Sequence, residues 1–127
     1  MYRVKLFLVS VGLWFSASFP AVSLEADPLH TFADCAGRLS AVIDFQWALK
    51  SAEPERLEAQ HATLIELIDA VVDPEDNHRV LQWRLDAQQA QTVLLFRANF
   101  NDDSADAAWA MEQAELYQTS CAALLLS

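Results

Sequence analysis

Three acid–proline dipeptides, Asp27-Pro28, Glu53-Pro54 and Asp73-Pro74, divide residues 24–127 into long stretches. Those stretches hold no other proline and a single glycine, Gly37. An aspartate before proline is a helix N-cap followed by a residue whose fixed φ suits the first helical position, where its missing N–H costs nothing. The acids of Asp73 to Asp76 also sit at the positive end of a helix dipole. The run Asn101-Asp102-Asp103-Ser104 is a fourth cluster of cap formers. Strand signals are missing: there is no Asn-Gly or Asp-Gly turn and no alternating run of β-branched residues. The punctuation therefore predicts helices over 28–50, 54–72, 74–99 and 104–125.

Each segment carries apolar residues at spacings of three and four, the mark of a helix with one buried face. The expected core stripes are Phe32, Cys35, Leu39, Val42 and Leu49 in the first helix, and Leu57, Leu64, Ile68 and Val71 in the second. In the third they are Val80, Trp83, Ala87, Ala90 and Leu94, and in the fourth Ala107, Met111, Ala114, Cys121 and Leu125. Four helices with short connections favour an all-α, up-down-up-down antiparallel four-helix bundle. The tight connection at Asp73 leaves a bent hairpin of the second and third helices as the alternative. A chain of 127 residues has room for one such domain, over 24–127.

The two cysteines lie on these stripes. In an up-down bundle the start of the first helix and the end of the fourth meet at one end. A rise of ~1.5 Å per residue puts Cys35 about 12 Å and Cys121 about 6–9 Å in from it. The heights match, so a Cys35–Cys121 disulfide is expected. No Cys-x-x-Cys is present to lower a thiol pKa for redox chemistry.

Residues 1–23 read as an export signal. Arg3 and Lys5 precede the uncharged run from Leu6 to Phe19, Pro20 breaks it, and Ala21 and Ser23 are the small residues of a cleavage site. Cleavage is expected after Ser23, with Ala26 as the alternative. The 14-residue run is shorter than the ~20 residues a membrane-spanning helix needs. Removing residues 1–23 leaves 18 acids against 6 cations, a net charge of −12. Such a surface repels nucleic acid and anionic lipid. The implied location is the periplasm or the exterior, where a disulfide persists.

Catalytic signatures are absent. One glycine after residue 23 leaves no phosphate-cradling loop and no nucleophile elbow, and no His-Glu-x-x-His or Cys-x-x-Cys-His occurs. Two Glu-x-x-His runs, Glu58 to His61 and Glu75 to His78, have the spacing of metal ligands inside helical bundles. Neither distance nor phase supports a shared site. Antiparallel helices would hold the two histidines some 15–20 Å apart. Glu75 and His78 also point away from their core stripe. The surface cluster of His78, Glu75 and Asp76 is a weak metal candidate by itself. No cofactor is implied, and a non-catalytic role is expected.

Apolar residues on the wrong face are the better clue. Leu81, Leu85 and Phe96 are rotated by roughly 130–180° from the third helix's core stripe, and Trp109 and Leu116 face away from the fourth's. Ala33, Gly37, Ala41 and Ala48 fall on the outer face of the first helix. Leu81, Leu85, Phe96, Trp109 and Leu116 are thus candidate interface residues, for a homodimer or for another envelope protein. The alternative is a small-ligand or metal binder using the bundle interior or the region of His61.

Overall fold

The computed structural model describes residues 27–51 and 54–126. The export signal, its cleavage site and the cap at Glu53 lie outside the described residues. Within them the chain is all-α. The helices are α1 (Pro28–Leu49), α2 (Glu55–Val71), α3 (Asn77–Phe100) and α4 (Ser104–Leu124), with no strand among the described residues.

The caps behave as their chemistry dictates. The Asp27 carboxylate accepts from the Leu29 amide at 3.1 Å, and Pro28 takes the first helical position. Asp103 accepts from the amides of Ala105 and Asp106, which selects it from the run of cap formers before α4. Pro74 starts not α3 but a single 3₁₀ turn, Pro74–Asp76, from which α3 continues. Pro54 takes the N-cap position of α2 rather than its first turn. Lys50 ends α1 in the left-handed conformation, with φ of 51°.

Helix directions follow from the pairs that touch. His30 stacks on Trp83, Arg38 bonds Gln91, and Phe45 meets Phe96 and Phe100. Numbers on α1 and α3 rise together, so these two run the same way. Gln91 bonds Ala114 while Arg97 bonds Asp106, so α4 runs against α3. Trp47 donates to Glu58 across the α1–α2 connection at 3.0 Å.

The closest partners are α1 and α3. In a square ring of four helices these two would face each other across the diagonal. The cause is the row Ala33, Gly37 and Ala41, which is buried. A Cβ built on Gly37 would collide with the Arg84 carbonyl oxygen and stand 3.0 Å from the Ala87 Cβ. This corrects the placement of that row on the outside of α1; only Ala48 is exposed. Small side chains carry little hydropathy signal, and it is their smallness that lets two backbones approach. Through its middle, α1 is enclosed nearly all round, with 35–39 buried without a break.

The core is otherwise built from Leu39, Val42, Leu57, Leu64, Ile68, Val80 and Leu95. Leu39 and Leu64 are fully buried, each stabilising the fold by roughly 1.5–3 kcal/mol. Some expected stripe members are exposed instead: Leu49, Val71, Ala90 and Met111. Leu49 and Val71 are the last residues of their helices. On α3 the buried phase runs through Ala87, Gln91 and Leu95. On α4 it runs through Ala110, Ala114 and Cys121. The disulfide joins Cys35 to Cys121, with Cα atoms 5.4 Å apart.

Candidate functional site

A charged side chain lies inside the fold, and it is an arginine. Arg38 projects from α1 between α3 and α4 and keeps only 9% of its surface exposed. Its Nε donates to Asp34, one turn earlier, at 3.0 Å, and its Nη1 donates to the Gln91 side-chain oxygen at 3.0 Å. Gln91 in turn donates to the Ala114 carbonyl at 3.2 Å. The guanidinium lies 3.6 Å from the centre of the Tyr117 ring. A buried charge costs several kcal/mol unless its environment compensates it. Here a carboxylate, an amide oxygen and a ring face supply that compensation, and three helices are tied together by it.

Arg38 lines the base of a groove between α3 and α4 of 560 Å³. Trp109 and Tyr117 supply aromatic walls, and Val93 and Leu94 apolar ones. At the rim, Arg97 grips Asp106 with two hydrogen bonds, of 2.5 and 3.2 Å, while its guanidinium stacks 5.1 Å from the Trp109 ring centre. That hydrogen bonding holds the Asp106 carboxyl below the usual carboxylate range, against some desolvation, and Asn101 adds a further donor.

On the opposite flank of α3 three phenylalanines form a cluster. Phe45, Phe96 and Phe100 have ring centres 5.4–6.2 Å apart, all at tilted or edge-on angles. Tilted contacts of this kind are favoured by the ring quadrupole. Beside them lies an apolar recess of 350 Å³ floored by Ala41 and Ala48, with Asp44 at its side. Further along the same seam, Leu81 and Leu85 border a smaller recess next to Ser40 and Gly37.

The five interface candidates are all exposed, but they do not form one patch. Leu81, Leu85 and Phe96 follow the α1-facing edge of α3. Trp109 belongs to the α3–α4 groove, and Leu116 stands on α4 without lining any of these recesses. The residues that sequence reasoning missed are Phe45, Phe100, Tyr117 and the Arg38–Gln91 pair. Gln91 had a signal, since it falls four residues from each of Ala87 and Leu95.

His61 faces α1 and α3 from α2. Its Nε2 makes no hydrogen bond among the described residues. Burial, and then the Arg84 charge, push its pKa below 6.5, with Asp44 opposing. Asp44 itself accepts from Gln88 at 3.3 Å. His78 and Glu75 are exposed, and Asp76 pairs with Arg79 at 3.7 Å. Among the described residues no three histidine, cysteine or acidic side chains are grouped to hold a metal ion. No helix among them is long and apolar enough to cross a membrane.

No family model matches the chain, and no curated protein or solved structure shows significant similarity to it.

Proposed function

We propose that this chain is an exported, non-catalytic interaction module, an up-down-up-down helical bundle that docks another envelope protein along the α1-facing edge of α3. One observation carries the reading. Leu81, Leu85, Phe96 and Phe100 leave 49%, 50%, 54% and 61% of their surfaces open along a single helix edge. Large apolar side chains aligned in this way favour a protein partner over water. Aromatic anchors such as Phe96 and Phe100 concentrate binding energy. Net charge favours a basic partner over a second copy, because two chains of −12 repel. The charged start and apolar run at residues 3–19 support export, and a Cys35–Cys121 bond is at home in an oxidising compartment.

The test is native mass spectrometry of the protein recovered from the exported fraction, wild type beside Phe96→Ser/Phe100→Ser. A partner subunit should accompany the wild type and be missing from the variant, with the same helical melting curve for both. Equal recovery of the partner by both proteins would sink the reading. A homodimer lost in the variant would replace a foreign partner by self-association.

The second reading, a small-ligand binder, is favoured by the α3–α4 groove rather than by the region of His61.

A further inference from the structure

We propose that the groove between α3 and α4 is a binding site for a small monocarboxylate with a flat apolar body. This goes beyond the docking edge, which lies on the other flank of α3.

The charge distribution points first to the sign of the ligand. The chain after residue 23 has 18 acids and only 6 cations, yet two of those cations, Arg38 and Arg97, line this one groove. They are not equivalent. Arg97 is held by both carboxylate oxygens of Asp106, so it is neutralised at the rim. Arg38 has a single hydrogen bond to a carboxylate, through Nε, and the Asp34 partner is 39% exposed. Water screens that pair from the outside. Nη1 is taken by Gln91, and Nη2 has no hydrogen-bond partner among the described residues. The groove thus contains a nine-tenths buried cation with donor capacity left over. The remaining Nη2 can donate a charge-assisted hydrogen bond to a carboxylate, and such a bond is stronger where water is thin.

The walls define the rest of the ligand. Trp109 and Tyr117 present ring surface, and Val93 and Leu94 present aliphatic surface. Gln89 and Gln113 give neutral polar contact at the margin. A volume of 560 Å³ is in the range of small-molecule sites. The groove suits a body of one or two fused rings better than a long chain. Asp86 stands in the lining, and the whole surface is acidic. A second negative charge on the ligand would meet repulsion, which argues for a monocarboxylate over a phosphate.

The probe is 2-naphthoate, with 2-naphthalenemethanol as its uncharged counterpart, titrated calorimetrically into the disulfide-bonded protein. The expected result is saturable one-to-one binding of naphthoate, with the alcohol at least tenfold weaker. Arg38→Gln should abolish the difference between the two. Because Arg38 also bridges helices, Val93→Glu serves as the second variant. Val93 is half-exposed, so a carboxylate there should leave the melting temperature unchanged and weaken naphthoate at least tenfold. Three outcomes would overturn the proposal: no saturable binding at millimolar naphthoate, equal binding of the alcohol, or unaltered naphthoate affinity in a folded Val93→Glu protein.

Discussion

Gly37 of α1 lies directly against the Arg84 carbonyl of α3, with no room between them for a side chain of any size. The obstacle is backbone, which cannot rotate aside. Gly37→Ala should therefore push the two helices apart. Alanine favours helix over glycine by about 1 kcal/mol, but overpacking here costs more, and a net loss of about 2 kcal/mol is expected. Thermal melting should fall by roughly 8–15 °C. An unchanged or higher melting temperature would show that the α1–α3 contact has slack.

Gln91 should be indispensable as a polar residue despite its place in the core. Gln91→Leu would strand a buried Arg38 donor, at a cost of about 2 kcal/mol. Arg38→Met removes the charge and should be costly alone for the mirror-image reason. The double variant should be less damaging than the two single losses combined, by about 1–2 kcal/mol. Urea titrations of all four proteins measure this coupling, and strict additivity would deny it.

Stability should depend on pH through His61. Its folded pKa is lowered, chiefly by burial and secondarily by Arg84, against the pull of Asp44. The unfolded state therefore binds a proton more readily. The stabilising contribution is complete above the ordinary value of 6.5 and is lost as pH falls from there through the folded pKa. Melting temperature should decline as pH is lowered below 6.5, and His61→Gln should flatten that part of the curve. Asp106 acts separately, since its depressed pKa moves its own loss to below pH 3.8.

Reduction of the disulfide should be the largest single perturbation. Cys35 and Cys121 are 86 positions apart, and constraining an unfolded loop of that length is worth about 4–5 kcal/mol on chain-entropy grounds. Cys35→Ser/Cys121→Ser, or treatment with a thiol reductant, should lower the urea midpoint accordingly. The double variant should then show no further response to the reductant.

Local signals made much of this fold legible. Asp27 and Asp103 cap helices because the side chain answers only to amides two or three residues away. The disulfide was legible because helix length fixes height along an axis. What escaped depended on which neighbour each face meets. Periodicity marked Leu81, Phe96 and Trp109 as outward, and they are exposed, but it could not show that α3 separates Phe96 from Trp109. Ala33, Gly37 and Ala41 escaped because hydropathy ranks residues by greasiness, whereas close helix crossings select for absence of bulk. Arg38 escaped because a charge in a core stripe reads as surface until its partners on two other helices are known.

The cystine bond between the first and last helices has a consequence for how the molecule is dismantled. The three connections between the described helices all lie between its two anchor points, so a protease that cuts any one of them leaves a single covalent particle. Only one more water is added to the mass, and the fragments part company when a reductant opens the ring. In a compartment crowded with proteases, a nick in a connection becomes a tolerable scar.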